Sequence, residues 1–440
     1  MLSIQTIRER TDAVRRMLAD RRSSAPIDEI LAVDERWRTL LAQVEEMRRD
    51  RNEASKLIGS AKDNAERQEL IAAQRAVSGR LDALEAELRD AEASLEPLML
   101  QVPNIPHPDV PVGDEDDNVV ILEGDGATGV ETRFDTPIPR REHQDPPAQS
   151  DRKPHWEIGT ETGLIDFERG AKLSGSSFYI LRGDAARLQR ALITWFLDVH
   201  RTQGYEEVYT PFLVRSDMLV GTGQLPKFAD TMFHAEGTDL WLVPTAEVPV
   251  TNMYRDEILE ADTLPVLHTA YTPCFRHEQF SAGREVRGIK RGFQFDKVEM
   301  VHFVEEEESW AALDVLLENA LGLVRALGLK YRVQRLATGD LTFSSAMTYD
   351  IDVWAPGAQE WLEVSSISNF VDFQARRANL RYRGADGRVR YLHTLNGSGL
   401  ALPRIVATLL EVGHLEDGSI EVPSPLRPYL GGAGALQPLS

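Results

Sequence analysis

The chain has 440 residues, 42% of them hydrophobic, enough for two or three domains with cores of ordinary size. A single cysteine, Cys274, excludes an internal disulfide and a cysteine-rich zinc site, and no apolar run approaches the ~20 residues a bilayer-spanning helix needs. The formal charge of −21 opposes nucleic-acid binding as a global sum, but screening over ~8 Å leaves a locally basic surface free to act. No signal-peptide pattern is present at the N-terminus, so no membrane association and a cytoplasmic location are expected.

The first 105 residues carry the best-patterned helices. Ile30, Val33, Trp37, Leu40, Val44, Met47, Arg51, Ala54 and Ile58 recur in alternating steps of three and four, the seam of a coiled coil. Leu70, Gln74, Val77, Leu81, Leu84, Leu88, Ala91, Leu95 and Leu98 repeat the pattern. The short stretch Gly59–Asn64 between them predicts that the two helices fold back antiparallel. Helices of ~35 residues rising 1.5 Å per residue give an arm of roughly 50 Å. From Arg36 to Arg80, ten lysines and arginines stand against seven acids, a local +3 against the global sign. Arg48, Arg49, Arg51 and Lys56 near the tip suit phosphate contacts, although heptads alone are equally compatible with a dimerising or spacer coiled coil.

Residues 106–157 read as a linker: Val102–Gly113 is punctuated by prolines and followed by acids, and 140–154 is rich in proline, glutamine and charge. From residue 158 to 440, helices such as 184–203 alternate with short strands, and many strands follow one another without a helix between. That pattern predicts an α+β domain, a mixed or antiparallel sheet with helices on one side. Neither a Walker A motif nor a strand-linked GxGxxG occurs, so any phosphate must be held by side chains.

Three segments carry the chemistry. Gly204–Leu213 is a helix exit, a strand and Pro211. In Ala270–Glu278, strand spacing places Arg276 and Glu278 on one face, and Phe293–Glu299 returns with Lys297 and Glu299 together. Cys274, between Pro273 and Phe275, reads as a reduced core residue. Val389–Glu411 reads as a strand, a Gly-Ser-Gly turn and an apolar helix, with Pro403 fitting only its first turn and so placing Arg404 close to the strand end.

In order, these segments resemble the three signature motifs of class II aminoacyl-tRNA synthetases. Leu242–Asn252 with its Thr-Ala-Glu, Thr272–Glu278 with Ser281–Arg284, Trp361–Ser366, Asn369–Arg377 and His393–Gly399 narrow the resemblance to the seryl-tRNA synthetase family of bacterial type, and it covers nearly the whole chain. It implies a class II antiparallel sheet flanked by helices, an N-terminal tRNA-binding arm, and a homodimer built on the helix 185–199 and the strand holding Pro211. The implied reaction is activation of L-serine with ATP and Mg2+, then transfer to tRNA(Ser), and to tRNA(Sec) where it exists.

By the same resemblance, Arg276 and Arg404 are the catalytic cations, on the α- and γ-phosphates. His277, Glu278, Glu363, Val364, Ser365 and Ser366 complete the ATP site, with Glu363 and Ser366 the magnesium ligands. Thr245, Ala246, Glu247, Glu299, Asn396 and Ser398 hold serine, and Arg48, Arg49, Arg51 and Lys56 meet tRNA. His277, Phe293 and Glu411-Val-Gly-His414 depart from the usual family residues without removing a ligand. The alternative is a paralogue loading a small amino acid onto a carrier protein, for which loss of the arm is expected.

Overall fold

The protein is described by a computed structural model covering residues 1–147, 151–277 and 287–439, with Glu66 described by its backbone alone. It divides into two compact units, Met1–Pro103 and Asn104–Ser440. Among the described residues, no helix is long and apolar enough to cross a membrane.

In the first unit, α1 (Ile27–Ser60) and α2 (Asn64–Met99) follow two short helices. Every seam position named above is buried or half-buried, with Ile30, Val44 and Leu81 fully so. Cross-helix contacts fix the direction: Arg36 pairs with Glu87, Arg48 with Glu85, and Gln74 donates to Ser55 Oγ at 2.6 Å. Partner numbers fall on α2 as they rise on α1, as antiparallel packing requires.

The second unit is built on nine strands: β1 (Val119–Asp125), β2 (Val130–Pro139), β3 (Glu206–Glu207), β4 (Val266–Phe275), β5 (Gln294–Val304), β6 (Lys330–Arg335), β7 (Met347–Ala355), β8 (Glu360–Asn369) and β9 (His393–Ala401). Their order is β2-β1-β6-β7-β8-β9-β5-β4-β3, antiparallel except for β3 on β4. One face packs on α4 (Gly183–Thr202), α5 (Ser309–Ala326) and α6 (Leu402–Gly413), all of which follow α3 (His155–Glu161) in the chain. Val298 and Met300 of β5, Ile351 and Val353 of β7 and Leu395 of β9 enter that core. Strand side chains alternate, so the residues between them turn to the opposite face.

Three expectations change. The stretch 106–157 is not only a linker, because it holds β1 and β2. The apolar run of β1 is short and set among acids and glycines, and β2 is an edge strand that is exposed and contains Pro137, which only an edge tolerates. Gly397-Ser-Gly399 is not a turn but part of β9. Gly397 is needed for close packing, since a Cβ there would lie 2.9 Å from Ile367. The apolar face of α4 is spent inside its own subunit, where Leu188, Leu192 and Phe196 are buried in the main core.

Candidate active site

Lys297 and Glu299 lie two apart on β5, on the face away from the helices. Glu299 is opposite Ser398 of β9, and Val301 is opposite Asn396. All four polar residues are buried at under a tenth of their surface. Glu299 Oε2 accepts a hydrogen bond from Thr245 Oγ1 at 3.0 Å and an ion pair from Lys297 Nζ. Its Oε1 is buried and has no hydrogen-bond partner among the described residues. Such an oxygen is costly unless a ligand donates to it.

Glu247 stands at the start of the short helix Glu247–Thr251, where its backbone N–H donates to Thr245 Oγ1 at 3.2 Å. Gln374 Nε2 donates to Glu247 Oε1 at 2.6 Å and is itself oriented by Thr394 Oγ1, which donates to Gln374 Oε1 at 2.8 Å. Burial, and then the nearby Glu299 carboxylate, push Glu247 up to about 7, partly opposed by the Gln374 hydrogen bond. Two carboxylates, one unpartnered oxygen and one adjacent cation leave room for one more positive charge. Ala246 lies next to them, wholly buried in a smaller core cluster with Val301 and Phe303.

Arg276 follows β4. Its Nε donates to Pro244 O at 3.2 Å, and its guanidinium lies 5.2 Å from the centre of the Phe295 ring, which holds the fork flat. His277 is lodged between the rings of Phe233 and Phe293, at 5.4 and 5.2 Å. Glu278, Ser281 and Arg284 lie outside the described residues. Cys274 is fully buried, and burial raises its thiol pKa.

A β-bulge assembles the last group. Asp350 pairs with Ser366 and Ile351 with Ser365, but Asp352 pairs with Glu363, so β8 holds one extra residue at Val364. A regular strand would put Glu363 and Ser366, three apart, on opposite faces; the bulge puts both on the face of Asp350 and Asp352. Val364 turns its side chain into the main core, leaving only its backbone to meet a ligand, and Ser365 donates its hydroxyl to Ser398 O at 2.7 Å. Burial first, then Glu363 and Asp352, raise Asp350 well above the usual carboxylate range, and its Oδ1 has no partner among the described residues. Asp352 is spent on Arg332 at 2.8 Å and Gln334 at 2.6 Å, and no three acids among the described residues come together as a metal-holding group; the oxygens left on this face are the exposed Glu363, the Ser366 hydroxyl and Asp350 Oδ1, donors of the type a hard divalent cation takes. Arg404, in the first turn of α6, faces Glu363 Oε2 at 3.4 Å and donates through Nε to Lys290 O at 3.3 Å.

The structure thus gathers Thr245, Glu247, Glu299, Asn396 and Ser398 into one buried polar pocket, and Glu363, Ser366 and Arg404 into a second group. Sequence reasoning placed Lys297 beside Glu299 in the charged active-site unit without giving it a ligand, and gave no role to Gln374, Asp350 or Asp352. Gln374 lay within the recognised Asn369–Arg377 stretch, and the alternating Asp-Ile-Asp of β7 was a readable sign of two acids on one face. On the arm, Arg49 and Lys56 are exposed and Arg51 sits on the seam, half-buried, while Arg48 is engaged with Glu85 at 2.8 Å.

Residues 1–106 match the seryl-tRNA synthetase N-terminal domain, and residues 231–413 match the tRNA synthetase class II core domain of the G, H, P, S and T group. The chain is 54% identical to the serine–tRNA ligase of Thermomicrobium roseum over 98% of this chain and 94% of that one. It is 53% identical to that of Chloroflexus aurantiacus over 100% of both. In fold it is similar to the crystal structure of seryl-tRNA synthetase from Pyrococcus horikoshii complexed with ATP, with a TM-score of 0.90 and 35% identity over 100% of both chains. The chain belongs to the seryl-tRNA synthetase family of class II aminoacyl-tRNA synthetases.

Proposed function

We propose that the chain is a cytoplasmic enzyme that activates L-serine with ATP and transfers the seryl group to tRNA(Ser). The observation that carries this is the buried Glu247–Glu299 pair, with Glu299 Oε1 lacking a hydrogen-bond partner among the described residues beside Thr245, a pocket short of one ammonium group and one small hydroxyl. A pocket that hydrogen-bonds a substrate hydroxyl rejects the analogue lacking it by ~10⁴ or more, because its own buried groups are left unpaired. Alanine and glycine are excluded on that ground, and larger side chains by volume.

In this reading, Glu247 and Glu299 bind the ammonium and hydroxyl of serine, with Thr245, Asn396 and Ser398 completing the contacts. The serine carboxylate attacks the α-phosphorus of ATP and pyrophosphate leaves. The terminal ribose hydroxyl of tRNA then attacks the carbonyl of the adenylate and AMP leaves. Arg276 holds the α-phosphate, pre-set by Phe295 and Pro244 O, and Arg404 holds the γ-phosphate, so both cations stabilise charge that shifts in the transition state. Glu363 and Ser366 would hold Mg2+, which supplies charge neutralisation for the phosphates when bound. The test is pyrophosphate exchange with each of the twenty amino acids, in which serine alone should support turnover; exchange with another amino acid at a comparable rate would overturn the assignment.

The arm is the tRNA-binding element, reading duplex shape and phosphate and not base edges. Carrier-protein loading finds no support, since the arm is present. A homodimer is proposed on the segment about Pro211, where Tyr209 and Leu213 remain 83% and 44% exposed; a monomer at micromolar concentration in sedimentation, still active, would contradict it.

A further inference from the structure

Glu411, near the end of α6, is a wholly buried carboxylate that the reaction does not use, and two stretches of chain, about His155 and about Gly357, converge on it. Its Oε1 accepts from the backbone N–H of His155 at 3.0 Å and from His155 Nδ1 at 2.8 Å. Its Oε2 accepts from the N–H groups of Gly357 at 2.8 Å and Ala358 at 3.0 Å. Arg152 closes the same helix end by donating to the carbonyls of Val412 at 3.0 Å and His414 at 3.2 Å. With four donors the carboxylate is saturated and has no capacity left for a ligand.

A directional contact leaves this cluster toward the ATP side. His155 Nε2 accepts from the backbone N–H of Ile289 at 3.2 Å. A nitrogen that accepts carries no proton, so the ring proton sits on Nδ1 and is donated to Glu411; the two partners together fix tautomer and ring plane. Gly288 is shaped to this ring: its φ is +84°, and a Cβ there would lie 2.0 Å from His155 Nε2. The neighbouring Trp156 stacks edge-on with His155 and presents its face to Arg287 at 5.0 Å and Lys290 at 5.8 Å. Lys290 in turn offers its carbonyl to Arg404 Nε at 3.3 Å.

We infer that the His155–Glu411 pair is a positioning device for ATP: it holds residues 287–290 so that the Lys290 carbonyl, together with Glu363 O, which accepts from Arg404 Nη1 at 2.5 Å, sets the direction of the Arg404 guanidinium. Neither residue touches substrate. The inference rests on the proposed role of Arg404 at the triphosphate. A misdirected fork loses its two-point fit to phosphate, while the serine pocket, built on other residues, is untouched.

The test uses the full-length enzyme in serine-dependent pyrophosphate exchange, with KM measured separately for ATP and serine. His155→Asn keeps a polar group near Nδ1 and removes the acceptor for Ile289; KM for ATP should rise about tenfold, the weight of one well-placed hydrogen bond, with KM for serine unchanged. His155→Gln restores an acceptor near Nε2 and should recover most of the loss. Gly288→Ala presses on the same ring without opening the core and should reproduce the rise in KM for ATP, and it carries the test alone where His155→Asn yields no folded protein. An unchanged KM for ATP in the folded variants, or a parallel rise in both KM values, overturns the inference while leaving serine activation intact. Absence of serine-dependent exchange in the unaltered enzyme would be a different result, sinking the parent reading together with this one.

Discussion

Arg48 and Glu85 pair on the arm with 53% and 26% of their side chains exposed, whereas Lys297 and Glu299 pair in the sheet with 9% and 1% exposed. An exposed pair contributes about 0–1 kcal/mol, and a buried one costs about 3–5 kcal/mol when a single partner is removed. The arm therefore spreads its function over many weak contacts on a surface held up by its heptad seam. The catalytic face concentrates its function in a few groups, each fixed by a named neighbour. Substitutions should be mild and cumulative in one region and severe one by one in the other.

The strongest way to separate the regions is to remove one. Replacing residues 32–95 with a short turn should leave serine-dependent pyrophosphate exchange at its normal rate, because every residue of the proposed pocket lies in the second unit. Transfer to tRNA should fall by about 10³ or more once the counterion-releasing contacts are gone. Full-rate aminoacylation by the shortened chain would make the arm a spacer.

Next in size is the loss of one cation at the site. Arg276→Ala or Arg404→Ala should each slow exchange by about 10², the scale of one charge-stabilising donor. Near-normal exchange in either variant rules out that residue's phosphate role.

Glu247 gives a smaller effect with a defined sign. Its folded pKa, pushed up to about 7 from 4.5 by burial and then by Glu299, means the carboxyl is protonated below about pH 7 and cannot pair with an ammonium group. KM for serine should therefore fall about tenfold between roughly pH 6 and pH 8, and Glu247→Gln should flatten that profile at a higher KM. The stability effect runs the other way. The folded chain binds a proton that the unfolded chain releases above 4.5, so this group's stabilisation is complete below 4.5 and is lost as pH rises through about 7. Urea midpoints of the native enzyme and Glu247→Gln across that window should converge or diverge accordingly.

The mildest effect belongs to the arm tip. Changing Arg48, Arg49, Arg51 and Lys56 together to alanine should weaken tRNA binding several-fold and flatten its log–log salt dependence by up to ~0.9 per lost phosphate contact, a duplex DNA figure that serves as a guide. Arg48 should account for the least, being already engaged with Glu85. A salt slope equal to that of the unaltered protein would remove these cations from the tRNA surface.

The arm was legible because a seam depends only on spacing along one helix and on pairing with the next. The residues of the buried polar pocket were legible through local motifs such as Thr245-Ala-Glu247 and Asn396-Gly-Ser398, each on one short element. What the sequence hid depends on register and long-range contact. Glu363 and Ser366 share a face only through the extra residue at Val364, which no alternation rule foretells. Gly397 looked like a turn because glycine signals either freedom or closeness, and here it signals closeness. Strand β2 is exposed and proline-bearing, so it offers no hydrophobic alternation to read. His155 and Glu411 lie on helices at opposite ends of the second unit's sequence, and nothing near either announces the other.

The proton on Glu247 has a thermal consequence. With its pKa pushed up to about 7, part of the Glu247 population carries a proton near neutral pH. In the proposed reading an arriving serine ammonium selects the ionised form, so binding expels a proton from the protonated fraction into the buffer. The heat of serine binding should therefore differ between buffers of different ionisation enthalpy, by an amount that vanishes well above pH 7. Amino-acid capture by this pocket is thus also a small acid release, and calorimetry can count it without any turnover.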